Sequence, residues 1–405
     1  MARFTRILWT GIAPALLGGC LLDIDFKGTS FLCESEPSCP AGYSCVEGRC
    51  VEGDGSGPDG GGSDQPDSGI PVADLAFRRQ LTFDNAARGA LAEFPVMVQL
   101  DPARIEYDAV RADGGDIQFL DADGSPLPHE IESWNPGGTS ILWVRVPAID
   151  AGSADDHIFM HYSNPDVTVA ENPAGVWSAY RAVYHLEPEE PGVVDDSSAQ
   201  GFDGTAVGAT RAEGRIAGAF QFNGTDQYLD LGADRSFVSG VAGATAEAWL
   251  GPGTLVNTGI ALGISVNGAD SSRLQLRVVV PGAVLNAGAR TLDTGDLLSL
   301  DGGALPLEQW TWVVMAFDFA GDAITVYQNG VQSATITGLG FADATPDTTS
   351  NVATIGVDEN KTSNFWLGRI DEVRVATASL GPDWVSAQFA SMNDGLVSFG
   401  PAEPQ

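Results

Sequence analysis

The feature that most constrains this chain is the rhythm of its apolar runs, which from Phe77 onward are short, often alternate with polar residues, and end in turn signals. Helix bundles need longer runs with a period near 3.6, whereas a strand needs only a few residues of alternation. The spacing predicts strands at Phe77 to Phe83, Phe94 to Leu100, Asp116 to Leu120, His129 to Ser133, Ile141 to Val146 and His157 to Tyr162. Between them stand Asp123-Gly124 before Pro126 and Asn135-Pro136-Gly137-Gly138 before Ile141. Such spacing predicts an antiparallel β-sandwich over residues 75–168. With 50 Gly and 23 Pro, the chain suits sheets joined by many turns. Its 405 residues suggest two or three domains, and 43% hydrophobic residues can build real cores.

The second large segment, residues 172–400, has the same character. Asn329-Gly330 between two alternating runs predicts a two-residue hairpin turn. Pro382 to Met392 is the one predicted helix, with Ser379 or Asp383 near its start. Ser265 to Asp301 departs most from the strand pattern and is expected to hold variable loops. The predicted fold class is therefore all-β, with two tandem antiparallel sandwiches behind a small disulfide-rich segment.

The first 74 residues differ. Arg3 and Arg6 precede an apolar core from Ile7 to Leu17, too short to span a ~30 Å hydrocarbon layer, and Gly18 and Gly19 lead into Cys20. Residues 1–19 thus read as an export signal. Leu16-Leu17-Gly18-Gly19-Cys20 resembles the lipobox of bacterial lipoproteins, which implies cleavage before Cys20, its lipidation and attachment to a membrane. Leu21, where lipoproteins retained in the inner membrane often carry Asp, implies outer-membrane sorting, facing either the periplasm or the cell surface.

Within residues 20–51, Cys33, Cys39, Cys45 and Cys50 form an even cluster that in an exported protein means two disulfides, with three connectivities open. A four-cysteine zinc site is the rival reading, but the spacing lacks a C-x2-C knuckle. The segment resembles the short cysteine-rich motif found behind lipoboxes in predatory soil bacteria. Residues 52–74 open with eighteen Gly, Ser, Asp and Pro-rich positions free of large apolar side chains. This reads as a flexible acidic spacer with an r.m.s. span of roughly 25 Å.

Two further resemblances cover the sandwiches. Phe94-Pro-Val-Met-Val-Gln-Leu100, Gly115-Asp-Ile-Gln-Phe119, His129-Glu-Ile-Glu-Ser-Trp134 and Leu142-Trp-Val-Arg-Val-Pro147 resemble the bacterial family catalogued as domain of unknown function 2341. Ala182-Val-Tyr-His-Leu186, Asn223-Gly-Thr-Asp226, Trp310-Thr-Trp-Val-Val-Met-Ala316, Ile324 to Val331 and Leu367 to Val375 resemble the laminin-G-like branch of the concanavalin A-type jelly rolls. The first implies a sandwich with no assigned chemistry, the second a recognition module.

A formal charge of −34 repels phosphate backbones, so no nucleic-acid partner is expected. The second resemblance implies a structural calcium ion held by Asp195 and Asp196 in a turn and by Asp371 and Glu372 in a late strand. The plainer alternative is that Asp195 caps a turn while Asp371 and Glu372 pair with Arg369 or Arg374. His157 and His161 sit four residues apart in a predicted strand, which separates their rings by ~13 Å and rules out one shared ion.

Catalytic patterns are weak. A glycosidase needs two carboxylates flanking the scissile bond, but no Glu-x-Asp-x-Glu strand occurs, and Asp371 and Glu372 are expected on opposite faces. Gly263-Ile-Ser-Val-Asn267 lacks the second glycine of a nucleophile elbow. Trp143, Trp249, Trp310 and Trp312 read as core, whereas Trp177 and Trp366, near segment edges, are candidate exposed sugar platforms. The expectation is a non-enzymatic surface lipoprotein that binds carbohydrate or a surface protein. The alternatives are a glycosidase with an unrecognised carboxylate pair and a structural envelope component.

Overall fold

The computed structural model describes residues 43–46, 49–52, 75–187, 192–254, 256–266, 272–292 and 295–405. The signal segment, Cys20, Cys33, Cys39 and nearly all of the spacer lie outside the described residues. The chain divides into two units, Met1–Pro66 and Asp67–Gln405. In the first, Tyr43–Val46 and Arg49–Glu52 form an antiparallel hairpin whose register sets Cys45 opposite Cys50.

The second unit is almost wholly β. In its first sandwich, Phe77–Phe83 pairs with His157–Tyr162, which pairs in turn with Gln118–Asp121. Against this sheet lies a three-stranded one, Leu91–Leu100, Ser140–Ile149 and His129–Ser133, with the middle span central. Leu81, Phe94, Val96, Leu142, Val144 and Met160 fill the space between them. From Phe94 to Val98 every residue is buried, because this sheet is covered on both faces. Continuous apolar runs, rather than alternating ones, are what two-sided burial requires.

The jelly roll has two large antiparallel sheets. One, here the near sheet, centres on Leu367–Ala376, Gly243–Pro252 and Thr311–Asp318; the other, the far sheet, on Gly259–Ser265, Ser272–Val279 and Val284–Ala289. Tyr184, Phe222, Leu262, Leu276, Phe317 and Val373 pack between them. Asn329 and Gly330 both adopt positive φ, 49° and 78°, in the turn from Ala323–Gln328 to Val331–Thr337, as an Asn-Gly hairpin demands.

The near sheet turns its outer face to the three-stranded sheet of the first sandwich. Met97 and Trp143 from one side meet Trp249, Trp312 and Val314 from the other, with Trp177 and Val385 added from short connecting elements. Each such side chain contributes on the order of 1.5–3 kcal/mol by burial. The predicted helix Pro382–Met392 seals this junction: Ala387 enters the core of the first sandwich while Val385 and Met392 face the tryptophans. Its N-cap is Gly381, without a side-chain cap, so neither Ser379 nor Asp383 takes that role.

Two boundaries differ from expectation. Residues up to 400 were expected to belong to the jelly roll, but Val397–Phe399 and Glu403–Pro404 pair with Phe77–Phe83 and complete the first sandwich. The jelly roll is therefore inserted between the strands of its neighbour. Ser265 to Asp301, expected to be loops, supplies Ser272–Val279, Val284–Ala289 and Leu298–Ala304 in register. Glycines and polar residues on its outer face obscured an inner face of Leu274, Leu276, Val278, Leu285 and Ala287.

Candidate functional site

At the sandwich junction lies a cluster of ionisable side chains that no single stretch of sequence displays. Strand His129–Ser133 directs His129 and Ile131 toward its own core and Glu130 and Glu132 toward the jelly roll, because alternate residues face alternate sides. From the jelly roll come His185, one residue past strand Tyr180–Tyr184, together with Glu372 and Arg374 of Leu367–Ala376 and Glu247 of Gly243–Pro252.

His185 is the hub. Its Nε2 lies 3.3 Å from Glu130 Oε2, and its Nδ1 lies 2.8 Å from Glu372 Oε1 and 3.4 Å from Glu132 Oε2. Glu130 also accepts hydrogen bonds of 2.6 Å from Trp177 Nε1 and from Ser197 Oγ. Glu132 accepts one of 2.6 Å from Trp143 Nε1, while its Oε1 is buried without a partner. Arg374 donates from Nε and Nη2 to Glu372 Oε2, and its guanidinium is sandwiched between Trp143 and Trp177 at 4.4 and 4.6 Å. Cation–π contacts of this kind strengthen when water is excluded.

The structure brings Asp371, Glu372 and Arg374 to one side by a device the sequence does not announce. The pairing of Gly243–Pro252 with Leu367–Ala376 shifts between Glu247 and Trp249, and Glu372 sits at φ 52°. This bulge overturns the expectation that Asp371 and Glu372 face opposite ways. A buried glutamate in the left-handed region costs roughly 1–2 kcal/mol, a strain that the Glu372 ion pairs offset.

Charge is balanced by shifted protons. Burial opposes charge on Glu130 and Glu372, but His185 beside both, and Arg374 beside Glu372, hold them below the usual carboxylate range. Burial likewise works against His185⁺, yet Glu372, Glu130 and Glu132 raise it well above an ordinary imidazole. Burial, reinforced by Glu372, pushes Glu132 up to about 8. Burial also pushes Glu247 up to about 7 despite Arg374, and raises Asp371 well above the carboxylate range. Near neutral pH Glu130 and Glu372 thus face two cations, while burial favours the protonated form of Glu132, Glu247 and Asp371.

The cluster floors a cavity of ≈ 160 Å³ lined by Glu130, Glu132, His185, Asp195, Ser197 and Phe220. Of the four calcium candidates, Asp195 lines this cavity and Glu372 belongs to the cluster, but the set does not form an oxygen shell. Asp196 is spent as a fold staple: Oδ1 accepts from the Val183 and Ser198 amides, and Oδ2 from the Phe202 amide and the Ser198 hydroxyl. Asp371 Oδ2 accepts from the Arg215 and Ile216 amides. Among the described residues, the ionisable group close enough to share an ion is Glu132, His185 and Glu372 rather than these four.

Trp177 and Trp366, expected to be exposed platforms, are both 0% exposed. Trp177 belongs to the junction, and Trp366 packs in the jelly-roll core, where burial on all sides outweighs position near a segment edge. Trp143, Trp249 and Trp312 are buried as expected, and Trp310 is partly so. His157 and His161 lie in the strand predicted for them.

A second feature lies on the far sheet. Arg277, Asn286 and Asp301 stand in one cross-strand row, pointing away from the core. Arg277 Nε donates to Asn286 Oδ1 at 2.8 Å, and Asn286 Nδ2 donates to Asp301 Oδ1 at 2.7 Å. Just beyond the strand ends, Val256, Val280, Pro281, Ala283, Leu305 and Leu307 line a cavity of ≈ 560 Å³. Val256 is 79% and Leu307 40% exposed.

Comparison with known families agrees with both resemblances. Residues 113–189 match the model of the domain of unknown function (DUF2341), and residues 223–386 that of the concanavalin A-like lectin/glucanases superfamily. The chain carries both domains. No curated protein matches it. Among solved structures it is similar to domain 4 of AbnA, a GH43 extracellular arabinanase from Geobacillus stearothermophilus, in complex with arabinotriose. That likeness has 22% identity over 52% of this chain and 98% of that one, with a TM-score of 0.39. The binding domain of Paraclostridial Mosquitocidal Protein 1 gives 12% identity over 53% of this chain and 52% of that one, TM-score 0.39. The native heptameric SAP-like pentraxin from Limulus polyphemus gives 19% over 41% and 78%, TM-score 0.33. The chain thus spans about half the length of the toxin binding domain it matches.

Proposed function

We propose that this protein is an exported recognition module, tethered to the outer membrane through Cys20, that binds a glycan at the edge of its far sheet without turning it over. The observation that carries the reading is the ≈ 560 Å³ cavity at the ends of the strands bearing the Arg277, Asn286 and Asp301 row. That volume lies within the range of small-ligand sites, which pair an apolar lining with a few converging polar groups. Val256, Pro281 and Leu307 offer apolar contact to a sugar's C–H face. The Arg277, Asn286 and Asp301 row stands outside that lining and offers to hydroxyls the polar atoms that its own two hydrogen bonds leave over.

The junction cavity supports a hydrolase less well. Its ≈ 160 Å³ falls short of the space for two sugars across a scissile bond, and Glu130 and Glu372 are committed to His185, Ser197, Trp177 and Arg374. A glycan array probed with the full chain and with Val256→Asp tests the proposal. Binding by the parent, weakened at least tenfold in the variant, supports it. Absence of binding to any glycan, or release of reducing sugar from the bound ones, overturns it.

A further inference from the structure

The junction cluster carries a second proposal, independent of the far-sheet reading. Glu132 and Glu372 flank a single ring nitrogen, His185 Nδ1, at 3.4 and 2.8 Å. All three ligand atoms lie within 4.8 Å of one another. Tetrahedral ligands about 2.0–2.1 Å from zinc stand roughly 3.3 Å apart, so these spacings need only small side-chain adjustments to enclose an ion. The opposite ring nitrogen, Nε2, faces Glu130, which is fixed by Trp177 and Ser197. A carboxylate behind a ligating histidine orients the ring and raises its basicity.

Two further observations point to a ligand. Glu132, whose side chain is 2% exposed, has its Oε2 3.4 Å from His185 Nδ1 and its Oε1 buried with no hydrogen-bond partner. A buried carboxylate oxygen left unpaired is costly, and an ion would satisfy it. Three carboxylates surround one imidazole, with Arg374 the permanent cation beside them, and a divalent ion takes the place of the two protons that otherwise neutralise the set. The cavity above supplies room for a water as a fourth ligand.

We propose that Glu132, His185 and Glu372 bind one divalent transition-metal ion, with zinc the best fit, between the two sandwiches. Imidazole nitrogen with two carboxylates suits zinc or manganese and disfavours calcium, which prefers an all-oxygen shell. Glu132 belongs to the first sandwich and His185 and Glu372 to the jelly roll, so the ion pins one to the other. Binding to the folded state alone raises its melting temperature.

The test is equilibrium dialysis of the oxidised full chain against zinc, manganese and calcium chlorides, with metal content and melting temperature read together. Oxidation keeps the four clustered cysteines from competing. The account expects one zinc per chain, a zinc-dependent rise in melting temperature, and at least tenfold weaker binding in Glu132→Gln, which is isosteric. Because His185→Gln can fail to fold, Glu132→Gln decides the matter, with its circular dichroism matching the parent. A parent that binds no zinc, a Glu132→Gln protein that binds it equally, or calcium bound in preference to zinc would each overturn the assignment.

Discussion

His185 and Glu130 meet 3.3 Å apart across the junction of two sandwiches, and every other charged contact of the cluster is arranged around that pair. Glu130 comes from strand His129–Ser133 of the first sandwich and His185 follows strand Tyr180–Tyr184 of the jelly roll. The pair therefore exists only when both sandwiches are folded and docked, which makes the cluster a joint between them.

Arg374→Ala should destabilise the protein by about 3–5 kcal/mol, because it leaves Glu372 charged, buried and without its guanidinium partner. Arg374→Lys should recover only part of the loss, since an ammonium cannot stack flat between Trp143 and Trp177. Urea denaturation followed by tryptophan fluorescence measures both. A loss below ~1 kcal/mol for the alanine variant would contradict the account.

Stability should fall as pH rises from about 5 to above 8. Glu132 and Glu247 keep their protons to about 8 and about 7 when folded but release them near 4.5 when unfolded, so rising pH favours the unfolded chain across that window. His185, raised well above 6.5, adds stability that is complete below 6.5 and lost as pH climbs through its folded value. Glu130 and Glu372, held below 4.5, act in the other direction, and their contribution disappears only in acid. Melting temperatures from pH 5 to 9 should decline, and Glu132→Gln should flatten the decline. An identical slope in parent and variant would remove Glu132 from the explanation.

Much of the fold is legible in the sequence because strand signals are local. Phe77–Phe83, His129–Ser133, His157–Tyr162 and the helix Pro382–Met392 fall where alternation and turn residues place them. The cluster is not legible in the same way. Glu130 and Glu132 are acids at alternate positions of a strand, a signal that both face one side, but nothing local shows that this side is covered by another domain. Their partner Glu372 lies far along the chain, and its orientation depends on a bulge at a non-glycine residue. Trp177 and Trp366 misled for the related reason that a segment edge in sequence became an interior in space.

A fragment of residues 75–168 should fail to fold as a soluble monomer. It lacks Val397–Phe399, which covers one edge of Phe77–Phe83, and it lacks Ala387 and Leu396 from its core. An unpaired edge and an uncovered tryptophan face favour aggregation. Residues 75–405 should be soluble under the same conditions. Gel filtration and circular dichroism compare the two, and a folded, monomeric short fragment would refute the interlocked topology.

Cys20→Ala should release a folded protein from the membrane, because the tether proposed here has no other lipid-bearing residue. Among the described residues no helix is long and apolar enough to cross a bilayer. Fractionation of cells expressing the parent and the variant measures this. Persistent membrane association of the variant would require a different anchor.

The two sandwiches share a buried joint at Glu130, Glu132, His185 and Glu372, and a joint of this kind should make them unfold together. Differential scanning calorimetry of residues 67–405 tests it most directly. A single transition is expected, with calorimetric and van't Hoff enthalpies in agreement, that separates into two in His185→Ala. Two separate transitions in the parent would mean that the sandwiches unfold independently and that the cluster does not join them.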